Sequence, residues 1–488
     1  MTPAPPSAAL LGLFARTRPT RDGAALLRSA LHARRLVLLK ALLVRVRRHR
    51  AELGDGVEER FEAAWHLLER AERRAPAAVR DLLDYPTTGG WLAAALTAPP
   101  GPELDARLAH FDALALTAAL RAGCALDLTV ATPHGTLSLT GLGRLLTGAD
   151  RAAVRTEGHH ARITPEGAGP DRAVLLPRDP GDLDDLDDLG DLGDLGDPRA
   201  LNDPGDPGDP GDPGDPRDPD DPRGPGDPRV PLHPHPGRPA DADPGRSPAA
   251  APHWSPLLRL PGGAAVLDDL DPYRVPRGGI GTPPRTGVEA GPAGRAVWAE
   301  RWRAALRLLD ATDPGRAEEV RRLVRVLVPV AHADRGTGLF GATLRAAPGA
   351  VLATLPDGPR EMAEVLVHET QHTKLAAVHE LVPLYTAGPA TVHKVGWRTD
   401  ARPIAGVLQG AYAHLALTDL WRRAARSSGL PAPWRTRAGQ QFERFHHQVG
   451  RALSVLLESD ELTNTGREFA RHMRQHHARL GATPRALR

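Results

Sequence analysis

The chain has 488 residues, a formal net charge of +2 and a single cysteine. That length accommodates two to four domains, or one large body with insertions, and a hydrophobic content of 41% is enough to build a sizeable core. No stretch approaches the roughly 20 consecutive apolar residues of a membrane-spanning helix, and Cys124 alone forms no internal disulfide, which fits a reducing cytoplasm.

The N-terminus, MTPAPPSAALLGLFARTRPTRDG, has only a short apolar run without a charged leading region and does not read as a signal peptide. A cytoplasmic location is the expectation. Arginine supplies almost all the positive charge and is scattered along helical patterns, with no single stripe interleaved with aromatics. Neither nucleic acid nor a membrane is therefore expected as a partner.

Residues 24–50 predict a basic amphipathic helix, with Leu27, Leu31, Leu38, Leu39, Leu42 and Val46 as its apolar positions. Arg47, Arg48 and Arg50 load its C-terminal end, where the helix dipole favours cations. Further helices are predicted at 57–75, 77–84, 89–97 and 103–122. The period then changes. Leu126, Leu128 and Val130 alternate with polar residues, as do Leu137 and Leu139 beyond Pro133-His134-Gly135, which predicts a β-hairpin.

Residues 178–228 hold 18 Asp and 4 Arg with no Glu or Lys, a balance of −14 that leaves the rest of the chain near +16. The segment runs DLDDLDDLGDLGDLGDP and then repeats DPG, with Gly at 205, 208, 211 and 214. So short a run cannot sustain a collagen triple helix, and it lacks a calcium loop with a closing Glu. A disordered acidic insertion over 178–250 is the expectation. It separates a helical N-terminal region with a small hairpin, 1–177, from a catalytic region, 251–488.

Beyond Trp254, LDDLDPYR at 267–274 predicts a strand end and a turn. Helices are predicted at 294–311 and 315–327, short strands within 337–355, and helices at 360–382, 404–428, 437–459 and 463–479.

The strongest chemical signal is His368-Glu369-Thr370-Gln371-His372, on a helix with Pro359 near its first turn and Pro383 closing it. The i, i+4 spacing projects both imidazoles from one face, as two nitrogens sharing one ion require. Glu369, next to the first ligand, is placed to orient water or act as a base. A fortuitous pattern on an ordinary helix is the bland alternative. His379 lies seven residues beyond His372, about 10 Å along the axis, which suits packing better than ligation. A third ligand is expected from another element, with His414 the first choice, on a helix whose Val407, Ala411, Thr418 and Trp421 share its face. A satisfied core histidine is the competing reading. Asp400, His393 and Asp419 are weaker candidates. A carboxylate would give a two-His-one-carboxylate site suited to non-haem iron, whereas imidazoles suit zinc, iron or copper. Arg398 and Arg402, between the two helices, are candidates to grip a carboxylate in bidentate fashion, unless they pair with Asp400.

LVHETQHTKLAAVHELVPL followed by WRTDARPIAGVLQGAYAHLALTDLW resembles the HExxH-motif peptide-modification proteins of actinobacteria. Those proteins accompany ribosomally made, post-translationally modified peptides. The resemblance extends upstream through HWSPLLRL, DDLDPYR and the helical N-terminal segment, and leaves out the acidic insertion. It implies iron(II)- and 2-oxoglutarate-dependent β-hydroxylation of a residue in a precursor peptide. It further implies His368 and His372 as iron ligands, and Arg398 or Arg402 on the cosubstrate carboxylate. Ala401 is a small departure from the pattern. The expected fold is mainly helical α+β with the site on a helix, not a cupin-type barrel. A zinc metallopeptidase with Glu369 as base is the alternative, and a non-catalytic leader-peptide-binding partner is a third reading.

Overall fold

A computed structural model of the chain describes residues 6–18, 20–169, 172–177, 252–333, 339–386 and 391–482. Met1–Asp179 and Ala251–Arg488 belong to one compact unit. The acidic segment expected to be disordered lies outside the described residues.

Six helices come first: α1 (Ala8–Ala15), α2 (Arg21–Arg48), α3 (Val57–Arg74), α4 (Pro76–Leu83), α5 (Pro86–Thr97) and α6 (Pro102–Arg121). Their starts follow local chemistry. The Thr20 hydroxyl accepts the Gly23 N–H at 3.0 Å, the ordinary N-cap bond. Proline opens α4, α5 and α6, where its missing N–H costs nothing. α3 and α6 pack through Phe61 and Phe111, whose rings are 4.9 Å apart, and Trp91 of α5 stacks on Phe111 at 5.6 Å. α1 was not anticipated. It is capped by Ser7, and its buried Leu11 and Phe14 join a core built mostly from C-terminal helices.

Seven strands follow: β1 (Asp127–Ala131), β2 (Thr136–Leu139), β3 (Gly143–Leu146), β4 (Arg151–Glu157), β5 (His160–Pro165), β6 (Val174–Pro177) and, beyond the acidic segment, β7 (His253–Pro256). The two strands flanking Pro133-His134-Gly135 exist, but they do not pair as a hairpin. β1 joins the antiparallel sheet β1-β4-β5-β6, and β2 joins β2-β3-β7. The groups a hairpin would use across this turn are engaged elsewhere. Thr132 donates its N–H to the Asp150 carbonyl, and Thr147 donates to the Gly135 carbonyl.

The remaining elements are β8 (Leu258–Arg259), β9 (Val266–Leu267), α7 (Pro292–Thr312), α8 (Pro314–Leu323), β10 (Val326–Pro329), β11 (Gly341–Ala342), β12 (Ala350–Ala353), α9 (Pro359–Leu381), β13 (Val392–His393), β14 (Arg402–Pro403), α10 (Ile404–Arg426), α11 (Ala432–Glu458) and α12 (Asn464–Gly481). α8 is shorter than predicted. Val326–Pro329 is a fully buried strand, parallel to β9 on one side and β12 on the other. A short run of buried valines and leucines fits such a strand as well as a helix end, and periodicity does not separate the two. The five-stranded sheet runs β11-β12-β10-β9-β8, with β11 an antiparallel edge.

α9 runs through the middle of this half. Met362, Leu366 and Val367 pack with Leu327 and Val351 of the sheet and with Trp302 and Leu306 of α7. Further along, Leu375 and Val378 pack with Val407, Ala411 and Leu415 of α10. The fold is α+β and mainly helical, with open sheets and no barrel among the described residues. No described helix is long and apolar enough to cross a membrane.

Candidate metal centre

α9 begins at Pro359 and stops at Leu381, before Pro383. His368 and His372 point from one face. Their Nε2 atoms are 3.1 Å apart and their rings meet edge-on, with centroids at 4.7 Å. Two imidazole nitrogens bound to one ion at about 2.0–2.1 Å each stand roughly 3 Å apart. The pair is therefore spaced as ligands of a common ion.

α10 brings a third imidazole. The His414 ring lies 4.9 Å from that of His368, also edge-on. Its Nδ1 donates to the Gly410 carbonyl at 2.9 Å, which leaves Nε2 as the nitrogen with a lone pair. His372 is oriented in the same way, its Nδ1 donating to Gln409 Oε1 at 3.0 Å. Such bonds fix the tautomer and aim the other nitrogen at a metal. Trp397 stacks on His414 at 4.5 Å, and Phe445 of α11 lies 5.3 Å from it.

Burial lowers the pKa of all three histidines. His368 sits well below the usual range, with His372 and His414 adding to the effect. His372 is lowered, and His414 is pushed down to about 4. At neutral pH the cluster is three uncharged imidazoles, the form that ligates.

Glu369 is the carboxylate of the group. Its ligand atoms and those of His368 and His372 all lie within 4.8 Å of one another, whereas His414 flanks that set through its contact with His368. Glu369 is buried against the edge strand, where a side chain at Gly341 would meet its Oε1. Its Oε2 has no hydrogen-bond partner among the described residues. Burial raises its pKa to about 8, and Thr343 opposes this. A nearby divalent ion would favour the ionised form. A buried carboxylate with one unpaired oxygen, beside three neutral imidazoles, fits a divalent transition-metal ion.

No protein-family model matches the chain, and no curated protein matches it. Arg398 and Arg402 are brought to Asp400: Arg398 Nε lies 2.7 Å from Asp400 Oδ1, and Arg402 Nε lies 3.0 Å from Oδ2. Arg398, and to a smaller extent Arg402, hold the Asp400 carboxyl below its usual pKa. The loop that carries them supplies Trp397, not a guanidinium, to the imidazole cluster. His379 accepts the Leu384 N–H at 3.2 Å and stacks on Tyr385 at 4.1 Å; it closes the end of α9. Asp419 is buried between Arg18 and Arg423. His393 lies in the short strand β13, which pairs with β14.

Sequence reasoning missed Gln409, Trp397 and Phe445 as neighbours of the site. Glu364, one turn before His368 on α9, has its pKa raised by burial to about 7. Gln409, Trp397 and Phe445 reach the site only through the docking of α10, α11 and the 395–403 loop.

Proposed function

We propose that the chain is a metal-dependent enzyme that modifies peptides, using iron(II) and 2-oxoglutarate to hydroxylate the β-carbon of a residue in a ribosomally made precursor. The observation that carries the metal dependence is the 3.1 Å approach of the His368 and His372 Nε2 atoms, with His414 alongside. The hydroxylase chemistry rests on the resemblance of the α9 and α10 segments to the HExxH-motif peptide-modification proteins.

His368, His372 and His414 hold the ion, with Gln409 and the Gly410 carbonyl fixing two of the rings. Iron(II), when bound with 2-oxoglutarate and oxygen, supplies the oxidising chemistry. The peptide gains one oxygen atom, and the cosubstrate leaves as succinate and carbon dioxide. Trp397 and Phe445 form an apolar wall that limits water around His414. In this reading Arg398, which holds Asp400 through two nitrogens, or Arg402, which holds it through one, takes the cosubstrate carboxylate in exchange for Asp400.

A zinc peptidase is the second reading, and the position of Glu369 favours it. A buried carboxylate adjacent to the first ligand, with one oxygen unpaired, is suited to taking a proton from water. Anaerobic reconstitution with iron(II), followed by turnover with the precursor peptide encoded nearby, separates the two. Succinate formation coupled to a one-oxygen mass gain supports the hydroxylase. Peptide cleavage by the zinc-loaded protein, with 2-oxoglutarate untouched, replaces it with the peptidase.

A further inference from the structure

A second concave site lies at the far end of α10 from the metal cluster. Arg423 and Arg426 follow His414 by nine and twelve residues, about 14–18 Å along the helix axis. With Arg18, Arg422, Arg479 of α12 and His476 they line a cleft of about 590 Å³. That volume falls within the roughly 300–1,000 Å³ of small-molecule sites.

The floor of the cleft is built. Arg18 pairs with Asp313 at 3.3 Å and with Asp419 at 3.0 Å. Arg423 reaches the same two carboxylates at 3.1 and 3.4 Å. Arg422 donates to the Arg479 and Ala482 carbonyls at the end of α12. Arg426 and Arg479 make no side-chain hydrogen bond or ion pair among the described residues. His476 is 7% exposed, lines the cleft, and has no partner for its Nε2 among the described residues.

Arginine in the last turn of a helix has a bland explanation in the dipole, and both helix ends point here. Each end is worth about half a negative charge. Five guanidinium charges thus face two carboxylates and about one further negative charge, which leaves about two positive charges unmatched. Burial lowers the Arg422 pKa, with Arg426 and then Arg423 adding to the effect and Asp419 opposing it. A small anion with several charges offsets the unmatched positive charge, and guanidinium groups bind phosphate oxygens bidentately.

We propose that this cleft binds a compact, multiply charged oxyanion of the phosphate class, gripped by Arg426 and Arg479 over the floor set by Arg18 and Arg423. A diphosphate concentrates its charge within one such cleft. An extended acidic peptide turns successive side chains to opposite faces, so only every second carboxylate would face the cleft.

The test is calorimetric titration of the full chain with inorganic pyrophosphate, and separately with hexa-aspartate. The His368→Ala variant is titrated in parallel, so that pyrophosphate held through a metal at the other site is told apart. Arg28→Ala/Arg47→Ala, two exposed positions on α2, lowers the net charge equally and serves as the control. Pyrophosphate should bind the parent, the His368→Ala variant and the control alike. It should bind Arg426→Ala/Arg479→Ala at least about tenfold more weakly, as loss of charge-assisted bonds implies. No binding to the parent, equal binding to the cleft variant, or tighter binding of hexa-aspartate than of pyrophosphate would each overturn the assignment.

Discussion

Two imidazole Nε2 atoms 3.1 Å apart cannot both carry a proton. His372 gives its Nδ1 proton to Gln409, so its Nε2 is an acceptor and His368 is the donor between them. An entering ion must displace that proton and take both lone pairs. His368→Ala and His372→Ala should each abolish metal retention, read by elemental analysis, while circular dichroism shows the helical content kept. Full occupancy in either variant would sink the site. Gln409→Leu should weaken metal binding by about 10- to 100-fold, and Gln409→Glu, which still accepts the Nδ1 proton, should restore most of it. If both Gln409 variants bind metal like the parent, the ring is held by packing alone. Glu369 discriminates between the two chemistries. In a peptidase, Glu369→Gln removes a base worth roughly 100- to 10,000-fold; in a hydroxylase, 2-oxoglutarate turnover should persist at a substantial fraction of the parent rate. The histidine pair was legible because ligand spacing is a local property of one helix. Gln409 was not, since its role exists only once α10 has docked on α9. Arg398 and Arg402 were legible as a pair, and the alternative noted for them, Asp400 between them in sequence, is the contact the structure contains.

At the scale of elements, α9 is anchored on its reverse side by a buried polar cluster. Glu319 of α8 accepts from Lys374 at 2.6 Å, from Arg316 at 2.8 Å and from Gln371 at 3.0 Å. Arg316 also binds the backbone and hydroxyl of Thr17, tying in the segment after α1. All four side chains are essentially buried. Burial alone would raise the Glu319 pKa, but Lys374 and Arg316 overcome it and lower the value. Nothing local in the sequence marks Gln371 and Lys374 as buried, because the acid that meets them comes from another helix. Glu319→Ala should cost about 3–5 kcal/mol, since it leaves buried cations uncompensated. Asp400→Ala breaks an exposed, solvent-screened pair and should leave the unfolding midpoint close to the parent's. Urea unfolding of both variants checks this, and equal midpoints would refute the anchoring role. The same limit of local reading explains β10, whose first two residues fall within the helix predicted to 327, and the false hairpin, whose strands were recognised while their partners were not.

For the whole molecule, the question is what the acidic segment contributes to stability. The described residues before and after it close on each other directly: β3 pairs with β7 from Gly143↔Pro256 to Leu146↔His253, and α2 is linked to the C-terminal half by the Arg34–Glu380 pair at 3.5 Å. Residues 180–245 are dominated by Asp, Pro and Gly, a composition with too little apolar surface to offset the entropy of ordering it. Closing a loop costs about 0.6 kcal/mol for each doubling of its length. Replacing these residues with a linker of about eight shortens the connection from Pro177 to His253 by roughly two doublings, a gain of about 1 kcal/mol. A chain lacking 180–245 should therefore unfold at the parent's temperature or a few degrees above it. Its urea m-value should match the parent's, because m tracks the surface exposed on unfolding and this composition adds little buried surface. A lower midpoint together with a smaller m-value would mean that the segment packs against the body and that its composition misled. A lower midpoint with m unchanged would point to strain from the shortened connection, which a longer Gly/Ser linker should relieve.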